Sequence, residues 1–138
     1  MPNGDFYILK QSDPTSRLKV LTKLAEKAWR SGQRTCVYTD DPAQVGQIDR
    51  WLWSYRANSF LPHSTVAAGL ASPVEISGDA PPEHRELLIN LAVERAPWAD
   101  EFARILEIVI QEELVLESTR DHYRHYREQG RELKTHQL

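Results

Sequence analysis

Four residues near the C-terminal side stand at spacings that let them act together: Arg120, Tyr123, Arg124 and Arg127 follow one another at steps of three, one and three. On a helix those steps bring all four to one side. Guanidinium groups are planar forks of donors matched to carboxylate oxygens, and a ring beside them supplies an apolar wall. Such a face suits a short ligand that carries carboxylates and an apolar or aromatic end group. The same spacing also describes a solvated helix face with Tyr123 and Tyr126 dipping into the core, and the residues alone leave both readings open. Nonspecific DNA binding fits less well. Segment 118–138 sets Arg120, Arg124, Arg127, Arg131 and Lys134 against Asp121, Glu128 and Glu132, yet the formal charge of the whole chain is −3. A phosphate backbone rewards a large basic field, so little direct DNA binding is expected.

The remaining chemistry-bearing residues have simpler explanations. Histidines 63, 84, 122, 125 and 136 do not cluster, and His122 and His125, one turn apart with arginines close to both, read as a solvated helix surface. Glu112 and Glu113 read as the charged start of a helix, favourable to its dipole. Asp40 and Asp41 could hold a ribose or a metal, but Asp41 before Pro42 reads more simply as a helix cap. Cys36 is the only cysteine, which excludes an internal disulfide and a cysteine-based metal knuckle. Between Thr35 and Val37 it is expected to be a buried, inert thiol. Neither G-x-G-x-x-G nor G-x-x-x-x-G-K-[ST] nor G-x-S-x-G occurs, and the turn Lys10-Gln11-Ser12-Asp13-Pro14 has no glycine through which a pyrophosphate could approach the backbone. No catalytic residue, metal or cofactor is expected. The alternative is a degenerate nucleotide-binding α/β enzyme using the strand ends near Asp40.

A second aromatic concentration lies at Trp51-Leu52-Trp53-Ser54-Tyr55, followed by Phe60-Leu61-Pro62-His63. These rings serve either core packing or a partner surface enriched in aromatics.

The elements that must position these residues follow from periodicity. Phe6-Tyr7-Ile8-Leu9 predicts a first buried strand, and Leu18, Leu21, Leu24, Ala25 and Ala28 predict a helix over 17–30, ended by Gly32. A strand over 34–39 follows, then a helix from Pro42 carrying Val45, Ile48 and Leu52. Residues 55–82 are rich in Pro, Ser and Gly; 59–63 are expected to form an ordered loop and 73–76 a short strand. Residues 87–91 predict a central strand. Pro97 is expected to start a helix with Trp98, Phe102, Ile105 and Leu106 on one face, with Ile108-Val109-Ile110 as one more short strand. A last helix is predicted over 113–129, closed by Gly130. Alternating strands and amphipathic helices imply right-handed crossovers. The expected fold is α/β: a three-layer α/β/α sandwich with a largely parallel, Rossmann-like sheet lacking a phosphate-binding loop, one domain over 1–138. With 41% hydrophobic and 27% charged residues the composition is that of an ordinary globular protein. No apolar run approaches the ~20 residues of a membrane span, and Met1-Pro2-Asn3-Gly4-Asp5 lacks the features of a signal peptide, so a cytoplasmic location is expected.

Several segments together resemble the chi subunit of bacterial DNA polymerase III. They are Phe6-Tyr7-Ile8-Leu9, Ala28-Trp29-Arg30-Ser31-Gly32, Leu52-Trp53, Ser59-Phe60-Leu61-Pro62-His63, Pro73-Val74-Glu75-Ile76 and Tyr123-Arg124-His125-Tyr126-Arg127, in family order over almost the whole chain. The resemblance implies a non-catalytic adaptor of the replicative polymerase. Chi proteins bind the acidic C-terminal tail of single-stranded DNA-binding protein and the psi subunit, which joins chi to the clamp loader. It places tail binding on Arg120, Tyr123 and Arg124, with Arg127 and Trp53 as further candidates, and psi contact on Phe60, Leu61, Pro62 and His63. Where family members carry a lysine earlier on the last helix, Leu114, Val115, Leu116 and Glu117 stand here, which implies a less basic site.

Overall fold

The computed structural model describes residues 2–54 and 61–138. Seven strands form one sheet: β1 (Asn3–Ile8), β2 (Thr35–Tyr38), β3 (His63–Thr65), β4 (Val74–Ser77), β5 (Leu87–Asn90), β6 (Arg104–Val109) and β7 (Glu132–Gln137). Three helices join them, α1 (Pro14–Arg30), α2 (Pro42–Ser54) and α3 (Glu113–Glu128). The order across the sheet is β3-β4-β2-β5-β6-β1-β7, and every pairing is parallel.

This order decides which face each connection covers. The connections through α1 and α2 run toward the β3 edge, whereas those leaving β3, β4, β5 and β6 run toward β7. Parallel crossovers are right-handed, so the two sets cover opposite faces. Tyr7 meets α1 residues Val20 and Leu24 across a surface cleft, while its neighbour Phe6 packs on Tyr123 and Tyr126 of α3. Successive strand residues alternate between faces, so α1 and α3 lie on opposite sides. Trp98 and Phe102, from the connection 91–103, cover the second face beyond α3, with Trp98 edge-on to Tyr38 at 5.2 Å. The predicted α/β sandwich with a parallel, Rossmann-like sheet is therefore the observed fold.

Helix starts follow their caps. Asp13 accepts the Ser16 amide at 2.9 Å and Pro14 opens α1, three residues before the predicted start. Asp41 accepts the Ala43 amide at 3.0 Å, the expected cap of α2. Gly32 and Gly130, both at positive φ, end α1 and α3.

Two expectations fail. Pro97 starts no helix: a 3-10 turn, Ala99–Glu101, is followed directly by β6. Trp98 and Phe102 do reach the core, but Ile105, Leu106 and Ile108 form a run buried on both sheet faces, which a strand satisfies and a one-faced helix does not. The second is β7, which was not anticipated. Its residues Glu-Leu-Lys-Thr-His-Gln show little apolar alternation because it lies at the edge of the sheet. Residues 59 and 60 of the predicted loop lie outside the described residues, and His63–Thr65 is a strand.

Arg131 anchors the entry to β7. Although counted with the basic segment, it is buried, and its guanidinium donates to the carbonyls of Asp100 (2.9 Å), Phe102 (2.8 Å) and Asn3 (3.3 Å).

Candidate functional site: a cleft between the last helix and the sheet edge

The site is built on α3, whose buried side is Val115, Ser118, His122 and Tyr126. Repeats of three and four residues make that stripe. Under it lies Glu107 of β6, a carboxylate only 2% exposed. Glu107 accepts from the Tyr126 hydroxyl at 2.7 Å and the Asn90 amide at 3.0 Å, and its other oxygen lies 3.2 Å from His122 Nδ1. His122 Nε2 reaches the Val93 carbonyl at 2.7 Å. Burial first, and then the neighbouring Glu107 charge, push the Tyr126 phenol well above its usual range, so it stays a neutral donor. Burial by itself would lower the His122 pKa; the bond and charge of Glu107 outweigh it and the pKa is raised. The expected solvated surface at His122 is thus a buried contact, because a carboxylate inside the sheet needs donors. His125 stays half-exposed, with Nε2 2.9 Å from Asp100 Oδ2.

With that stripe fixed, the rest of α3 overhangs β1 and β7. A cleft of about 550 Å³ opens there, walled by Thr119, Arg120, Tyr123 and Arg124 of α3 and Thr135 of β7, and floored by Phe6 and Ile8 of β1. Tyr123 is 38% exposed, and its ring tilts against Phe6 with centroids 5.3 Å apart. Of the tyrosine pair, Tyr126 lies in the core as one reading expected, and Tyr123 stands half out of it in the cleft wall. Arg124 pairs with Asp121 on the same helix. Arg120 has no hydrogen-bond or ion-pair partner among the described residues, leaving its fork available. Arg127 is exposed one turn further along α3, on the same side but outside the cleft lining.

Trp53 is not brought to this cleft. It ends α2, which packs on β3 and β4 at the opposite edge of the sheet. Its ring, 58% exposed, lies 4.6 Å from that of His63. His63 is buried, with Nδ1 2.7 Å from the Leu61 carbonyl and Nε2 3.3 Å from Asp49 Oδ1. Leu61 is buried and Pro62 half-buried, and Phe60 lies outside the described residues.

Sequence reasoning missed the floor and the anchor. Phe6 and Ile8 read only as a buried strand, and Thr135 gave no signal because β7 was not anticipated. Glu107 had one: a carboxylate within Ile105-Leu106-Glu107-Ile108 is costly unless partnered.

The crevice at the C-terminal ends of β2 and β5, where connections leave to opposite faces, is where a doubly wound sheet takes a nucleotide. Here side chains narrow it to a small cavity of about 140 Å³ lined by Arg17, Gln44, Ile48 and Leu91. Asp40 Oδ2 accepts the Glu94 amide at 3.0 Å, and Arg17 donates to the carbonyls of Ile108 (2.9 Å) and Leu91 (3.3 Å). Burial raises the Cys36 thiol pKa well above its ordinary value. Among the described residues no group of three or more His, Cys, Asp or Glu is placed to hold a metal ion, and no helix is long and apolar enough to cross a membrane.

The family model described as DNA polymerase III chi subunit, HolC, matches residues 1–134. The chain is 41% identical over 139 residues to DNA polymerase III subunit chi of Pseudomonas aeruginosa, covering 100% of this chain and 98% of that one. It is 32% identical over 136 residues to the Haemophilus influenzae subunit chi, covering 96% and 94% of the two chains. To the Escherichia coli subunit chi it is 31% identical over 143 residues, covering 98% and 97%. A match along this length places the chain in the DNA polymerase III chi subunit family.

Proposed function

We propose that this chain is a non-catalytic accessory subunit of the replicative DNA polymerase III holoenzyme, and that its α3 cleft grips the acidic C-terminal tail of single-stranded DNA-binding protein. The observation that carries the reading is Arg120: an unpartnered guanidinium fork at the wall of a cleft floored by Phe6 and Ile8. The tail's terminal carboxylate pairs with Arg120, its final aromatic ring rests on the apolar floor beside Tyr123, and acidic residues further back meet Arg124 and Arg127. A second surface, at the β3 edge, faces the psi subunit and through it the clamp loader. The residues carried to psi are Phe60, Leu61, Pro62 and His63, of which Leu61 and His63 are buried and Pro62 half-buried. Exposed Trp53, whose ring meets that of His63, gives this edge its accessible surface. Two partners on opposite edges of one sheet is the arrangement an adaptor needs.

The cleft reading is tested by titrating a short acidic peptide ending in phenylalanine against the wild type, Arg120→Ala and Arg124→Ala over a salt series. Affinity should fall in both variants and the loss should shrink as salt screens the charges. Unchanged affinity in both rejects the reading. Against the nucleotide-binding alternative stand Arg17 and Asp40, both already bonded to backbone groups beside the strand ends. Thermal shift with nucleotides and divalent metals would register stabilisation only under that alternative.

A further inference from the structure

We propose that the acidic segment held in the α3 cleft continues as an added strand along the open edge of β7, bonded to the outward backbone groups of Leu133, Thr135 and Gln137; this rests on the tail-binding reading above. β7 is last in the sheet and, among the described residues, pairs with β1 alone. Its phase is set by two bonds, Glu132 N–H to the Pro2 carbonyl at 3.2 Å and Leu138 N–H to the Ile8 carbonyl at 2.9 Å. In a parallel ladder a residue directs its N–H and C=O to the same side. Residues 132, 134, 136 and 138 therefore face β1, and the N–H and C=O of Leu133, Thr135 and Gln137 point out from the edge. An edge of this kind is a template for an extended peptide.

Two further observations select an acidic occupant. Thr135 is at once a wall of the cleft and an outward-facing edge residue, so a chain leaving the cleft meets the edge without a gap. Cations flank that edge on both faces. Arg120 and Arg124 stand on the cleft face. On the reverse face the cation is Lys134, exposed and with no ion-pair partner among the described residues; His136, which shares its face, stacks on Tyr7 at 4.5 Å and is already engaged by Asp5 Oδ1 at 2.9 Å. An added strand turns alternate side chains to each face, so acidic residues at neighbouring positions find a cation either way. The same charges make the edge a poor template for an uncharged apolar strand.

The test is amide hydrogen exchange followed by NMR, using the full chain with a short acidic peptide ending in phenylalanine. A second peptide carries backbone N-methyl groups upstream of its last two residues. Exchange at Leu133, Thr135 and Gln137 should slow at least about tenfold at saturation. The N-methylated peptide should bind roughly fivefold to tenfold more weakly. Gln137→Pro deletes an outward N–H while leaving every bond to β1, and should weaken the unmodified peptide by a similar factor. If binding depends on Arg120 but the three amides exchange at unchanged rates and both peptides bind alike, strand addition is overturned and the cleft reading stands. If binding is indifferent to Arg120→Ala, both are overturned.

Discussion

The Tyr126 hydroxyl donates to Glu107 Oε2 at 2.7 Å, tying the last helix to a carboxylate sealed inside the sheet. The bond fixes the rotation of α3 about its axis, and that rotation turns Arg120, Tyr123 and Arg124 toward the β1–β7 edge. A buried carboxylate is costly unless its lone pairs are used, and Tyr126, His122 and Asn90 use them.

Tyr126→Phe keeps the ring and removes one donor from Glu107. The expected loss is about 1–3 kcal/mol in stability by urea unfolding, the cost of an under-satisfied buried acceptor.

The pH dependence of stability follows from His122. Its folded pKa lies above the ordinary 6.5, against the pull of burial, because Glu107 and the Val93 carbonyl favour the cation, while Arg95 opposes it. A group raised on folding adds stability that is fully present below its unfolded pKa and disappears as pH rises through the folded value. The stability gap between wild type and His122→Gln should therefore be widest on the acid side of 6.5 and narrow above it. Urea midpoints over that range check this; a gap that widened with rising pH would contradict it.

Asp121 pairs with Arg124 on the exposed side of α3, so under the proposed tail binding it would compete with the ligand for that guanidinium. Asp121→Asn should tighten binding of the acidic peptide, roughly twofold to fivefold at low salt, with the gain fading as salt is added. Isothermal titration at two ionic strengths measures it.

The two proposed surfaces should be separable. Trp53→Ala should leave peptide affinity within about twofold of wild type while weakening capture of psi, and Arg120→Ala should do the reverse, because sites far apart with no shared partners act independently. Parallel pull-downs and titrations on both variants decide it. Joint loss in either variant would contradict the separation.

Much of this molecule was legible from its residues. The strands Thr35–Tyr38 and Leu87–Asn90 announce themselves by largely apolar runs, as strands buried on both faces do, and Val74–Ser77 by the alternation of Val74 and Ile76 with Glu75 and Ser77. The helix side carrying Arg120, Tyr123 and Arg124 was visible from spacing alone. What spacing cannot carry is the other half of the cleft. Phe6 and Ile8 become its floor only through the strand order that puts β1 beside the edge, and β7 is too polar to stand out as a strand. His122 was misread because its partner, Glu107, lies 15 positions away and meets it only across the sheet. The helix expected at Pro97 failed because Ile105, Leu106 and Ile108 fit both periods, and tertiary burial chose between them.

β7 pairs with β1, so Asn3 lies opposite Glu132 across nearly the full span of the polypeptide. Contacts so remote along the backbone bear a large loop-closure entropy, only slightly more than that of the β1–β6 pairing. The six strands from β1 to β6 can assemble their own pairings before β7 docks, and Arg131 then latches it to the carbonyls of Asp100 and Phe102. Because β7 follows the other six strands along the chain, the cleft wall that Thr135 supplies is synthesised after the sheet it joins.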